Sequence, residues 1–218
     1  SCQQAIKIKP DYADAYYNLG NALKDKGEFE AAIGSYKQAI RIKPDSAKAY
    51  NNMGTALKYK GDLDAAIDSY KRALRIRPDS AEAYNNMGAA MKDKDDLKGA
   101  IDSYQKALKI KPDYAEAYNN MGNALKNKGD LEAAIDSYKQ ALKIKPDYAK
   151  AHSNLGVTLK ELGRLDEALA SYKQAVALKP DYAEAYSNLG NTLKELGRSD
   201  EAEASYKQAI ALKPDYAQ

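Results

Sequence analysis

Proline recurs in this chain at a fixed interval, and that interval restricts the fold more than any other feature. Each proline stands 34 residues from the next and is followed by Asp: Pro10, Pro44, Pro78, Pro112, Pro146, Pro180 and Pro214. A fixed period of roughly 20 to 50 residues is typical of repeat architectures, in which each unit packs on its neighbours. The sequence therefore predicts a stack of similar units.

Within one period, residues 13–46, two apolar patterns have helical spacing. The first follows i, i+3, i+4, i+7 and predicts an amphipathic helix: Tyr16, Leu19, Gly20 and Leu23. The second predicts another helix: Phe29, Ala32, Ile33, Tyr36, Ala39 and Ile40. Gly27 lies between them, where a helix C-terminus favours a left-handed residue. Pro44 ends the second helix, and Asp45 is expected to N-cap the next one.

Six such helix hairpins fit the chain as one continuous array. We number positions within each repeat from its first residue, and the repeats span 13–46, 47–80, 81–114, 115–148, 149–182 and 183–216. Residues 1–12 are expected to be part of a preceding second helix, and 217–218 to begin a further repeat. We expect the chain to be an excerpt of a longer array, with a partial polar cap at Ser199 and Glu203.

The signature Tyr16-x-x-Leu19-Gly20-x-x-Leu23 followed by Ala32, Tyr36, Ala39 and Pro44 resembles the tetratricopeptide repeat. The resemblance covers essentially the whole chain. It implies an all-α, right-handed superhelical solenoid of antiparallel helix hairpins that binds partners in a concave groove lined by the first helices. Position 8 is Gly in every repeat, and we expect it to meet the small Ala at position 20 of the second helix.

Composition excludes several classes of function. The chain has 34 basic and 31 acidic residues and a net charge of +3, which argues against nucleic-acid binding. Apolar runs are too short for membrane insertion. The chain has one Cys and one His, which excludes an internal disulfide framework and argues against a zinc site. We expect no cofactor and no catalysis: His152 replaces a core Tyr, and Cys2 is at most a reactive surface thiol.

Asparagine occupies position 6 of every repeat, on the side of the first helix away from the apolar face: Asn18, Asn52, Asn86, Asn120, Asn154 and Asn188. Position 9 adds Asn21, Asn123 and Asn191. Since an amide carries donors and an acceptor, such a row can bind the main chain of an extended peptide. It resembles the asparagine ladder in the repeat region of O-linked N-acetylglucosamine transferase. The alternative is that these amides bond to adjacent helices or to water.

Position 12 is Lys in every repeat and flanks the Asn row: Lys24, Lys58, Lys92, Lys126, Lys160 and Lys194. These lysines either favour acidic partner segments or simply suit the C-terminal end of the helix dipole, and the second interpretation is preferred. Tyr17 and Tyr59 lie on or beside the same face, either as anchors for a ligand or as exposed side chains. No Lys or Arg stands at position 5, which argues against the carboxylate clamp of chaperone-binding relatives.

The third repeat is irregular, because Asp95 replaces the Gly of the turn and Gly99 replaces an Ala found in three other repeats. Asp tolerates the left-handed conformation less well than Gly, and Gly weakens a helix. We therefore predict that this repeat is locally the least stable. Repeats this similar also suit a designed consensus array, although Tyr59, Asp95, Gly99 and His152 favour a natural origin.

The leading hypothesis is a non-enzymatic interaction module, expected in the cytoplasm, that binds extended protein or peptide segments through the Asn row. One alternative is a structural scaffold that self-associates through its repeat ends. Another is a substrate-presenting arm of a larger enzyme such as a glycosyltransferase. RNA binding is disfavoured by the near-neutral charge.

Overall fold

The computed structural model describes residues 11–213. Within that range every regular element is an α-helix. The helices are α1 (Ala13–Asp25), α2 (Phe29–Ile42), α3 (Ala47–Lys60), α4 (Leu63–Ile76), α5 (Ala81–Asp93), α6 (Leu97–Ile110), α7 (Ala115–Lys128), α8 (Leu131–Ile144), α9 (Ala149–Glu161), α10 (Leu165–Leu178), α11 (Ala183–Glu195) and α12 (Ser199–Leu212). None of them is long and apolar enough to cross a membrane.

The chain divides into two compact units, Ser1–Pro112 and Asp113–Gln218. In the first unit, α1 to α6 form three hairpins, and each second helix also packs on the first helix of the next hairpin. In the second unit, α7 to α12 repeat this arrangement. The helix pairs lie within the six predicted repeats, so the predicted solenoid of stacked hairpins is confirmed within each unit. The segments predicted at 1–10 and 217–218 lie outside the described residues.

The turns inside the hairpins follow the sequence prediction. Gly27, Gly61, Gly129, Gly163 and Gly197 all have positive φ, between 74° and 93°. Asp95 is forced into the same region, with φ of 66°. It is therefore the one side-chain-bearing residue among those described that takes the left-handed conformation normally supplied by Gly.

The N-cap prediction was wrong by one residue. Ser46, not Asp45, caps α3, because its hydroxyl accepts a hydrogen bond from the Ala49 amide. Ser80 caps α5 in the same way, while Tyr occupies this place before α1, α7, α9 and α11 without a side-chain cap. Asp and Ser are both good cap residues, so the helix start could not be placed to within one residue from residue type alone.

The core of the first five repeats is built around the Tyr at position 24, which belongs to the apolar pattern of the second helix. Tyr36, Tyr70, Tyr104, Tyr138 and Tyr172 are all at most 1% exposed. These rings, and not Ala at position 20, explain the invariant Gly at position 8. A Cβ added to Gly54 would lie 2.8 Å from Tyr70 Cε1, and one added to Gly122 would lie 2.6 Å from Tyr138 Cε1. The tight packing of the ring against helix backbone excludes any side chain there.

Candidate functional site

Within each unit the first helices present their position-6 asparagines on one surface, which we call the first-helix face of that unit. Asn18 is exposed, and the other five members of the row are half-buried. The sequence wheel placed these residues furthest from the core. Asn52, Asn86 and Asn154 instead bond to the preceding first helix of their unit, and these hydrogen bonds differ from one repeat to the next.

Asn52 is committed to its neighbours in the first unit. Its Nδ2 donates to Tyr17 Oη at 3.1 Å and to Asn21 Oδ1 at 2.9 Å. Its Oδ1 accepts from Asn51 Nδ2 at 3.3 Å. Because both donor positions and the acceptor are occupied, this amide follows the alternative interpretation, in which the row joins adjacent helices.

Asn86 and Asn154 each make one bond to the preceding repeat. Asn86 Nδ2 donates to Asn51 Oδ1 at 3.2 Å, and Asn154 Nδ2 donates to Asn119 Oδ1 at 2.9 Å. An amide has two N–H donors and one carbonyl acceptor. Each of these side chains therefore keeps one N–H and its carbonyl oxygen for another partner. Asn18 and Asn188 make no side-chain hydrogen bond within residues 11–213.

Position 5 holds polar residues that sequence reasoning missed. Asn51 is 8% exposed, and Asn119 is fully buried. Asn51 Nδ2 also donates to Glu82 Oε1 at 3.0 Å. In the second unit the residue corresponding to Glu82 is Lys150, which cannot accept, and Asn119 Nδ2 has no partner among the described residues. Repetition of Asn at position 5 in three successive repeats was the signal that could have revealed this row.

The position-9 asparagines have a structural role. Asn21, Asn123 and Asn191 each accept a hydrogen bond at 2.8 Å through Oδ1 from the Tyr hydroxyl at position 24 of the same repeat. Thr55 accepts from Tyr70 at 3.2 Å. Burial raises the pKa of Tyr70 to about 12 and that of Tyr138 further. The expected use of this row as peptide ligands therefore competes with bonds that hold the core tyrosines.

The third repeat lacks this bond. Position 9 is Ala89, and the Tyr104 hydroxyl is buried without a hydrogen-bond partner among residues 11–213. Burial is the main reason why the pKa of Tyr104 is raised, with the negative charge of Asp93 adding to it. A buried hydroxyl without a partner loses its hydration on folding and recovers nothing in exchange.

The position-12 lysines are mostly used in ion pairs along the array. Lys58 lies 3.0 Å from Asp93, Lys126 lies 3.4 Å from Glu161, and Lys160 lies 2.8 Å from Glu195, each acid belonging to the next repeat. Lys24 and Lys92 instead pair with the acid that follows them in sequence. Lys194 is exposed. Neighbouring carboxylates thus neutralise most of the row, which removes the basis for a strongly basic groove flank.

The two tyrosines named with this face differ in their surroundings. Tyr17 is half-buried, accepts from Asn52, and its ring lies 6.1 Å from that of Tyr36. Tyr59 is 64% exposed but stacks on Phe29 at 5.3 Å between ring centroids. Phe29 is the only Phe in the chain, so the two irregular aromatic residues support each other. Tyr59 therefore packs at the turn end of its hairpin.

A polar groove lies at the N-terminal ends of α1, α3 and α5 in the first unit. It consists of two adjoining cavities of about 250 and 730 Å³ that share Tyr17, Ala47, Lys48 and Arg77. Asn18 lines the larger cavity, and Asn51 and Asn52 line the smaller. The groove therefore places an exposed amide, a phenol, three cations and four carboxylates along one path, and such polar groups suit the carbonyls and amides of an extended chain.

The residues considered for catalysis or metal binding are His152 and Cys2. His152 is half-buried, and its Nε2 lies 2.9 Å from the Pro146 carbonyl oxygen. No group of three potential metal ligands is found in the part of the chain that the structure describes. Cys2 lies outside the described residues.

Family models match nearly the whole chain. Models described as "TPR repeat" match residues 3–27, 20–60, 55–95, 92–129, 122–163 and 158–197, and one described as "Tetratricopeptide repeat" matches 183–216. No curated protein matches the sequence.

Solved structures agree with the family models. MamA is 30% identical with a TM-score of 0.68, covering 76% of this chain and 96% of its own. YrrB, described as a TPR protein with an unusual peptide-binding site, is 26% identical with a TM-score of 0.64, covering 85% and 95%. PilF of Pseudomonas aeruginosa, 19% identical with a TM-score of 0.81 over 93% and 92%, shares the fold.

Proposed function

Because the chain belongs to the tetratricopeptide repeat family, whose fold is suited to protein–protein interaction, we propose that it is a non-enzymatic scaffold. In this proposal the first-helix face binds an extended polypeptide through hydrogen bonds to the main chain of the ligand. The observation that carries the proposal is the amide capacity left on this face. Asn86 and Asn154 each spend one N–H on the preceding repeat, and the exposed Asn18 spends none within the described residues.

The hydrogen bonds between repeats support this function. An amide that is held at one end by its neighbour presents its remaining N–H and carbonyl in a fixed direction. Binding then costs less side-chain entropy than it would for a freely rotating Asn. Main-chain carbonyls and amides recur along any extended polypeptide, so side-chain amides that bind them do not distinguish between ligand side chains. The peptide-binding site named for YrrB is consistent with this use of the fold.

In this proposal the bound polypeptide is held most firmly in the polar groove of the first unit. Asn18 and Tyr17 line it together with Lys48 and Arg77. In contrast, the ion-paired lysines at position 12 contribute little, because an exposed ion pair already satisfied within the protein has little field left for a ligand. We expect affinity to depend on amides more than on charge.

The test is binding to an array of unrelated extended peptides by the wild type and by a variant carrying Asn86→Ala and Asn154→Ala. The control carries Asn119→Ala. This change breaks the hydrogen bond of Asn154 from the buried side, and Asn119 does not line the polar groove. We expect the first variant to bind at least tenfold more weakly and the control to stay within threefold of the wild type. Circular dichroism checks that each variant is folded.

Two outcomes would overturn the proposal. If both variants lose binding equally, affinity depends on the rigidity of the first-helix face and does not depend on contact between the ligand and the amides. If the wild type binds no peptide, the face has another use, and sedimentation of the chain at high concentration would then test self-association. A variant carrying Asn18→Ala and Asn188→Ala breaks no hydrogen bond among the described residues and must also weaken binding.

A further inference from the structure

A separate cleft lies between α4, α5 and α6, on the side of the second helices in the first unit. It has a volume of about 710 Å³. Its apolar lining comes from Leu74, Tyr84, Met87 and Met91, and Gly99 borders it without a side chain. Cavities of about 300 to 1,000 Å³ with mostly apolar walls are typical of binding sites.

Two substitutions that are specific to the third repeat lie in this cleft. Position 11 is Met91, where the other five repeats have Leu, and position 19 is Gly99, where three repeats have Ala and two have Glu. Ser103 lies beside both: its hydroxyl donates to the Gly99 carbonyl at 2.7 Å and lies 3.5 Å from Met91 Sδ. A flexible, polarisable Met wall adapts to more than one apolar shape.

The rim of the cleft is basic. Lys71, Arg75 and Lys106 are exposed around it, against one acid, Asp102. Lys71 lies 3.8 Å from Asp68, but both side chains are more than half exposed, so this pair contributes little. Lys106 Nζ lies 5.9 Å from the centre of the Tyr84 ring.

The surrounding helices reinforce this charge. The second helices of the first unit, α2, α4 and α6, carry eight Lys or Arg and four Asp or Glu. Those of the second unit, α8, α10 and α12, carry four Lys or Arg and seven Asp or Glu. The cleft therefore lies on the second-helix surface of the first unit, which is more basic than the corresponding surface of the second unit. A ligand with complementary charge is acidic.

We propose that this cleft binds a segment of a partner protein that carries one or two large apolar side chains flanked by carboxylates. The apolar side chains fill the space between Tyr84, Met87 and Met91, and the carboxylates pair with Lys71, Arg75 and Lys106. An apolar anchor in a pocket surrounded by charge is the arrangement that dominates binding energy in many interfaces. Recognition here depends on side chains and charge, unlike recognition by the first-helix face.

The four methionines allow a site-specific test. With ¹³C-methyl-labelled methionine, Met87 and Met91 report on the cleft, while Met53 and Met121 lie outside it. The probe is the fluorescein-labelled peptide Glu-Asp-Asp-Leu-Phe-Glu-Asp-Leu-Glu. We expect micromolar binding by fluorescence anisotropy, with shifts of the Met87 and Met91 methyl signals and unchanged Met53 and Met121 signals. Peptides with Ser for Leu and Phe, or with Lys for the acids, should bind at least tenfold more weakly.

Charge-reversal variants provide the matched control. The combination Lys71→Glu, Arg75→Glu and Lys106→Glu should weaken binding at least tenfold. Lys139→Glu, Lys143→Glu and Lys173→Glu change the net charge equally on exposed second-helix positions of the second unit, and should leave binding within twofold. The variant with Ala at Asn86 and Asn154 should also bind normally, so this proposal and the proposed function fail or succeed separately.

Three results would overturn the proposal. If the Met87 and Met91 signals stay unchanged at millimolar peptide, the cleft is not a peptide site. If dodecanoate shifts these signals and the peptide does not, the ligand is an anionic amphiphile. If the signals shift with protein concentration alone, the occupant is a second copy of this chain.

Discussion

The unpartnered hydroxyl of Tyr104 leads to a sharp prediction, because the same substitution has opposite consequences in adjacent repeats. Tyr138→Phe removes a hydrogen bond of 2.8 Å to Asn123 and should cost about 1 kcal/mol. Tyr104→Phe removes a hydroxyl that is buried without a partner, and should stabilise the chain by about 1 to 2 kcal/mol. Both substitutions leave the ring in place, so neither creates a large cavity.

Urea unfolding followed by circular dichroism measures the difference, expected to be about 2 to 3 kcal/mol between the two variants. Because stability in a repeat array is distributed among neighbouring units, hydrogen exchange should locate the change in α5 and α6 for Tyr104 and in α7 and α8 for Tyr138. Equal destabilisation by the two substitutions would refute the reasoning.

A rescue experiment tests the cause. Ala89→Asn places an acceptor where Asn21 and Asn123 hold their tyrosines, at a propensity cost of about 0.6 kcal/mol. It should stabilise the wild type and lose its benefit when Tyr104 is already Phe. The double-mutant cycle should therefore give a coupling of about 1 kcal/mol, and a coupling near zero would mean that no hydrogen bond forms.

Two further predictions concern the core tyrosines. Gly54→Ala should destabilise the chain by about 1 to 3 kcal/mol, since the added Cβ would lie 2.8 Å from the Tyr70 ring. Gly34→Ala, at an exposed position of α2 with nothing within 4 Å of the added Cβ, should stabilise the chain by about 0.5 to 1 kcal/mol. If the urea midpoints of the two variants move in the same direction, this reasoning is contradicted. Burial raises the pKa of Tyr70 to about 12, against about 10 in the unfolded chain. Its contribution to stability is therefore complete below pH 10 and is lost progressively from pH 10 towards 12, as the unfolded state releases its proton first. Urea unfolding at pH 9 and 11 should show this loss. Tyr70→Phe should make the loss between these two pH values smaller by about 1.3 kcal/mol, close to the value of one pKa unit, and an unchanged loss would show that Tyr70 is not responsible.

Most of the fold was predictable because a 34-residue period constrains every repeat in the same way. Apolar spacing predicted both helices of each hairpin, and the glycines predicted the turns, including the irregular Asp95. The Gly at position 8 does allow a close approach of the second helix, as predicted, but the group that approaches is the Tyr ring at position 24 and not the Ala at position 20. A wheel of two helices suggests that small residues meet, but it does not show how far the Tyr36 ring reaches across the contact.

The polar surface was predicted less well, for a related reason. The wheel divides an isolated helix into a core side and a solvent side, whereas within each unit neighbouring first helices also contact one another. Position 5 lies on the side of the first helix that faces its neighbours, and the side chains of Asn51 and Asn119 at this position are buried. Position 9 falls within reach of the core Tyr hydroxyl, as at Asn21. Contacts between repeats are not visible in the pattern of a single repeat.

The third repeat connects stability with the proposed cleft. Ala89 leaves a hydroxyl unpartnered, Asp95 takes a left-handed conformation, and Gly99 replaces Ala at the start of a helix. Each change costs roughly 1 kcal/mol. Met91 and Gly99, which have no counterpart in the neighbouring repeats, also line the cleft. Departures from local rules that concentrate at one place are expected where function requires them, and the proposed cleft lies at the place where they concentrate in this array.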